Sequence, residues 1–235
     1  MADDDFDISS LASFLHMMPA QISKLAERGN LPGRRVGGQW RFSRAEINHW
    51  LEDRIGLSDD LQLAEMESNL ERVESSTPAE IQIAKLLPVE AIATPLNART
   101  RGSVISTMCQ LATNTGMLWD PDKMAEAVTA REAMHPTALD IGFALLHPRR
   151  PQSSILGESI LSLGISGQGI PFGGSGGLTD VFFLICATDD HQHLRILARL
   201  SRIINDADWR SSLRSAVDAI EVHQLIASRD EELSE

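Results

Sequence analysis

Residues 131–151 read REAMHPTALDIGFALLHPRRP. The segment ALDIGFALLH, 138–147, ends in an uninterrupted apolar run, which predicts a short buried strand with His147 at its end. A second run, TDVFFLICA at 179–187, predicts another such strand. Before and after them lie helical patterns, SVISTMCQLATNTG at 103–116 and HLRILARLSRIIN at 193–205. Strands alternating with helices predict an α/β sandwich over residues 86–228, a mixed sheet flanked by helices.

Upstream, residues 7–55 read as a smaller unit of another kind, giving a two-domain chain of α+β and α/β parts. Ser9 or Ser10 is suited to cap a first helix bearing Leu11, Phe14 and Leu15, and Pro19 fits the first turn of a second helix with Ile22 and Leu25 inward. Gly29 closes that helix. In LPGRRVGGQWRFS, Val36 precedes Gly37-Gly38 while Trp40 and Phe42 follow, the pattern of a strand, a tight glycine turn and a strand. Ser43 with Glu46 three positions on makes a capping box for a third helix carrying Ile47, Trp50 and Leu51. Together these elements predict a winged helix-turn-helix.

Residues 56–85 join the two units and hold Asp59, Asp60, Glu65, Glu67, Glu71, Glu74 and Glu80 among loosely periodic Leu61, Leu63, Leu70 and Val73. The expectation is a solvated helical linker. A short dimer coil is the alternative, although the apolar positions do not sustain three heptads.

The 235 residues carry a formal net charge of −12, which excludes a non-specific nucleic-acid coat. The charge is uneven, however. Between residues 20 and 44 stand Lys24, Arg28, Arg34, Arg35, Arg41 and Arg44 against the single acid Glu27. A helix-turn-helix lays its second helix in the major groove while basic neighbours hold phosphates. Gln21, Ser23, Lys24 and Arg28 would face the groove, and Arg34, Arg35, Gln39 and Arg41 would line the wing. A single module with few phosphate contacts binds weakly, so a homodimer is an expectation of the same reading.

No run approaches the roughly 20 apolar residues of a membrane helix, and the acidic start MADDDFD is unlike a secretory signal. The expected location is the cytoplasm, without membrane insertion. Cys109 and Cys186 have no metal-ligand spacing and read as buried thiols. Asp189 and Asp190 read as a solvated loop with too few oxygen ligands for a metal. No cofactor or metal is expected. The glycine-rich run GISGQGIPFGGSGG, 164–177, lacks a phosphate-loop ending and reads as a flexible hairpin loop near the site around His147.

That site is suggested by chemistry first. Neutral imidazole is a nucleophile near physiological pH, and phosphoryl transfer depends on positioning and on donors around the migrating group. Arg131, His147 and His193 supply a nucleophile, a cation and a second imidazole.

Two family resemblances sharpen these readings. LASFLHMMPAQISKLAERGNLPGRRVGGQWRFSRAEINHWL resembles the excisionase family of winged helix-turn-helix domains, relatives of the MerR type, most specifically at GNLPGRRVGGQWRF. The resemblance implies DNA as a partner. Residues 86–228 resemble enzyme IIA of the mannitol/fructose class of the sugar phosphotransferase system, including its nitrogen-regulatory branch. The family pattern Arg-Glu-Ala, Thr, Gly-x-Ala-x-Pro-His-x-Arg falls on Arg131, Glu132, Ala133, Thr137, Gly142, Ala144, His147 and Arg149, and the later His-Leu pair falls on His193 and Leu194. The resemblance implies that His147 takes phosphate from a phosphocarrier protein, that His193 hydrogen-bonds it and that Arg131 balances its charge. Leu146 stands in place of the family's proline and Pro148 in place of a small residue; the first restores an N–H and the second removes one. The combined expectation is a cytoplasmic, bacterial DNA-binding regulator with a phosphohistidine domain. A phosphocarrier handing the group to a sugar-permease component, and a scaffold without chemistry, are the alternatives.

Overall fold

The computed structural model describes residues 5–15, 17–44, 46–47, 49–51, 81–173 and 177–234. The chain divides into two compact units, Met1–Glu80 and Ile81–Glu235. The linker expected over 56–85 falls, through residue 80, outside the described residues.

The first unit contains β1 (Asp5–Phe6), α1 (Ile8–Leu15), α2 (Pro19–Glu27), β2 (Arg34–Val36) and β3 (Gln39–Ser43), with helical residues again at 44, 46–47 and 49–51. The wing forms as the sequence predicts. Val36 pairs with Gln39, and Gly37 and Gly38 take φ of +59° and +82°, the left-handed values that a two-residue hairpin turn demands. The third strand, β1, was not expected. It pairs antiparallel with β3 on the other side from β2, setting Phe6 against Phe42.

The first helix is capped by Asp7, not by Ser9 or Ser10. Asp7 Oδ1 accepts the Ser10 N–H at 2.7 Å and Ser10 Oγ accepts the Asp7 N–H at 2.9 Å, a reciprocal cap that holds the Asp7 carboxyl below its ordinary value. At α2, Pro19 takes the first turn and Gly29, at φ +71°, ends it. Leu11, Ile22, Leu31, Phe42 and Ile47 fill the core.

The second unit is built from α3 (Ile83–Leu86), β4 (Ile92–Ala93), α4 (Arg101–Thr113), α5 (Pro121–Met134), β5 (Phe143–Leu146), β6 (Ile160–Pro171), β7 (Leu178–Cys186), α6 (Asp190–Asn205), α7 (Ala207–Ser215) and α8 (Ala219–Glu232). The sheet order is β4-β6-β7-β5. Two neighbours are parallel, β4 with β6 and β5 with β7, and β6 runs antiparallel to β7, so the sheet is mixed. Ala144, Leu146, Phe182, Leu184 and Cys186 join one cluster with Val104, Met108, Met124 and Val128 of α4 and α5. The alternate residues Phe143, Leu145, Val181, Phe183 and Ile185 are buried too, and α6 packs against β7. Burial on both faces is why these strands read as unbroken apolar runs.

The glycine-rich run departs from expectation. Gly164–Pro171 belong to β6, with a register irregularity between Ile165 and Ile170. They lie at the end of the sheet away from His147: Leu146 aligns with Leu184 and Ser162, whereas Ser166 onward lies beyond the level of Phe143. Gly164 answers a packing need, since a Cβ there would come within 2.8 Å of the Leu96 and Met108 side chains. Residues 174–176 of the run are outside the described residues.

Candidate functional site

β5 and β7 are parallel neighbours, so whatever follows each strand emerges at the same end of the sheet. His147 follows β5 directly, and His193 lies in the first turn of α6, which begins three residues after β7. Topology therefore brings together two histidines 46 positions apart. Their ring centroids are 4.7 Å apart at an interplanar angle of 53°, and the residues are 2% and 6% exposed.

His147 Nδ1 lies 2.8 Å from Leu145 O. A carbonyl oxygen only accepts, so this contact places the proton on Nδ1 and the lone pair of the neutral ring on Nε2. The main chain thus sets the tautomer. His193 is held through its backbone, its N–H donating to Asp189 O at 3.1 Å. Asp189 is the N-cap of α6, its Oδ1 accepting the Gln192 N–H at 2.8 Å, and Asp190 is the helix's first residue, so the two form a helix start and not the expected solvated loop.

Arg131 sits in the last turn of α5, 7% exposed, and Nη1 donates to His135 O at 2.7 Å. From there the chain returns alongside β5: Leu145 N–H donates to Thr137 O at 3.4 Å and Ala138 bridges Ala144. This strip ties the end of α5, which bears Arg131, to the strand that ends at His147.

Glu132, beside it, is 1% exposed and fully engaged. Its carboxylate accepts the Thr137 N–H at 3.1 and 3.3 Å, a short hydrogen bond from the Thr137 hydroxyl, and Arg101 Nη2 at 2.8 Å. Sequence reasoning placed Glu132 and Thr137 only by resemblance and missed Arg101. No local pattern marks a pair 31 positions apart. It also passed over Ser159, Thr188 and Gln192, which cluster at the start of α6. The Asp120-Pro121 start of α5 was a readable signal, an N-cap followed by proline at the first helical position.

In the first unit Gln21, Lys24, Arg28, Arg34, Arg35 and Gln39 are exposed and Ser23 and Arg41 are half-buried. Several already have partners. Gln21 Oε1 accepts the Met18 N–H at 2.8 Å, Ser23 Oγ donates to Pro19 O at 3.1 Å, Arg34 pairs with Asp5 at 2.6 Å, and the Arg35 guanidinium lies 5.0 Å from the centre of the Trp40 ring.

Among the described residues no helix is long and apolar enough to cross a membrane, and no group of three or more His, Cys, Asp or Glu side chains is placed to hold a metal ion.

Comparison with known proteins agrees with both units. Residues 6–55 match a helix-turn-helix domain family. The chain is similar in fold to the nitrogen regulatory protein IIA-Ntr of Neisseria meningitidis, at 20% identity over 61% of this chain and 98% of that one, with a TM-score of 0.55. It is similarly close to enzyme IIA-mannitol of Escherichia coli, at 20% identity over 60% and 98% with a TM-score of 0.54. A complex of the latter with phosphorylated enzyme IIB-mannitol gives 19%, 61% and 99%, and a TM-score of 0.55. At such identities the likeness speaks for the fold. The match that assigns a family covers residues 85–229, more than half the sequence, and by it the chain belongs to the phosphoenolpyruvate-dependent sugar phosphotransferase system EIIA 2 family.

Proposed function

We propose that the chain is a cytoplasmic DNA-binding regulator whose second unit accepts a phosphoryl group on Nε2 of His147 from a phosphocarrier protein. The observation that carries the reading is the pair of buried imidazoles, one with its Nδ1 committed to Leu145 O and the other 4.7 Å away. The Nε2 lone pair attacks phosphorus as the N–P bond of the donor phosphohistidine breaks, and the Nδ1 proton stays on its nitrogen, hydrogen-bonded to Leu145 O. His193 donates to the transferred group, and Arg131, buried at the end of α5, offsets its added negative charge. In the first unit Lys24, Arg28, Arg34, Arg35 and Arg41 would take phosphates, with Gln21, Ser23 and Gln39 toward base edges. A phosphoryl group on His147 would then bias DNA binding through charge or packing.

The test is to incubate wild type and His147→Ala with a phosphoenolpyruvate-driven phosphocarrier cascade and to measure intact mass. Acid-labile, base-stable phosphate on wild type alone supports the reading. No phosphate on either protein overturns it.

Onward transfer to an acceptor domain is a second reading, favoured by the likeness to enzyme IIA-mannitol, which has been solved with phosphorylated enzyme IIB-mannitol. Loss of label from the phosphorylated chain on adding such an acceptor would favour it over the regulator.

A further inference from the structure

We infer that Ser159 and Gln192 are positioning residues for phosphoryl acceptance, fixing the direction in which α6 points His193; this deepens the reading above and rests on it. His147 is held by the sheet itself, because it follows a paired strand and its ring is pinned to Leu145 O. His193 lies outside the sheet. It rides on a helix joined to β7 by residues 187–189, and a small roll about that joint would swing the imidazole past its partner.

A hydroxyl at the joint opposes that roll, in addition to the packing of α6 against β7. Ser159 immediately precedes β6, whose first residue, Ile160, pairs with Cys186 at the end of β7. Ser159 Oγ donates to Gln192 Oε1 through a short hydrogen bond and accepts the Thr188 N–H at 3.0 Å. Its Oγ also lies 3.2 Å from Thr188 Oγ1. The hydroxyl thus both donates and accepts. Ser159 stitches the start of β6 to the joint and to the residue adjacent to His193. Gln192 is in turn fixed at its backbone by Asp189 Oδ1. The clamp grips the helix within its first turn, where a displacement would separate the two rings.

The full chain is tested as Ser159→Ala, which removes the clamp, and Ser159→Thr, which keeps a hydroxyl. Two readouts are followed: the nuclear Overhauser contact between the His147 and His193 rings, and the kinetics of phosphoryl acceptance from the phosphocarrier. Ser159→Ala is expected to lose the inter-ring contact and to lower kcat about a hundredfold with KM for the phosphocarrier unchanged, as a misplacement of about 1 Å in an aligned site does. Ser159→Thr is expected to restore both. If Ser159→Ala fails to fold, as judged by spectral dispersion, Gln192→Leu carries the same expectations from the other partner. A variant with the wild-type ring contact and wild-type kcat overturns the positioning role while leaving the phosphoryl-acceptor reading intact. A wild type that takes no phosphate overturns that reading and this inference with it.

Discussion

At Cys109 and Cys186 the residue types alone forecast buried thiols, and the structure seats both in the cluster between the sheet and the helices α4 and α5. Burial, with a smaller contribution from Asp122, pushes Cys109 up to about 12 from an ordinary 9.0, and burial likewise raises Cys186 well above that value. The folded state thus keeps its thiol protons where the unfolded chain would give them up. The stabilisation is complete below pH 9.0 and is lost as pH rises from there through about 12. Urea midpoints measured from pH 7 to 11 should fall at the alkaline end, and a flat profile would contradict the burial described. Iodoacetamide at pH 8 should label neither thiol before unfolding. The candidate site was legible at this scale only where residue type and spacing coincide, as in Arg131, His147 and His193. Ser159, Gln192 and Arg101 were not, because a serine, a glutamine or an arginine acquires meaning only from a partner about 30 positions distant.

Among the elements, long periodic or uniformly apolar stretches declared themselves, and short or turn-shaped ones did not. The patterns at 103–116 and 193–205 became α4 and α6, and the glycine pair became the wing turn. The two-residue strand β1 has no periodicity to read. The run at 164–177 misled because its glycines suggested looseness, whereas Gly164 makes room for Leu96 and Met108. Gly142 shows the other use of the residue. At φ +84° it turns the strip beside β5 back into the strand, its N–H reaching Leu139 O at 3.1 Å, and the Arg214–Asp180 ion pair closes over it. A Cβ there would meet Arg214 Nη2 at 2.8 Å and Asp180 Oδ1 at 3.1 Å. Gly142→Ala therefore adds left-handed strain to a collision, and should lower unfolding free energy by about 1–3 kcal/mol. Chemical denaturation gives the number directly, and an unchanged midpoint would show that the turn is not held as described.

Across the molecule the sequence announced two units through its basic island and through the change from wing to buried strands. It could not announce how the second unit is closed. Arg199 of α6, 1% exposed, donates from Nε to Asp230 Oδ1 of α8 at 2.7 Å and from Nη1 to Leu233 O at 3.1 Å. Asp230 Oδ2 accepts the Ala84 N–H at 3.3 Å. Leaving a buried charge without its counterion costs about 3–5 kcal/mol, so Asp230→Ala should be among the most destabilising single changes, to be read from its urea midpoint against that of wild type. A loss within the scatter of surface variants would mean that the pair is not buried in solution. His223 Nε2 completes the arrangement by lying 3.1 Å from Ala84 O, so both polar groups of that peptide position are gripped by the last helix. Ala84 stands just inside the second unit, which begins at Ile81, and the clasp on it works as a buckle does. The segment that opens the second unit is thereby fastened to the helix that closes it, although about 140 positions of chain separate them.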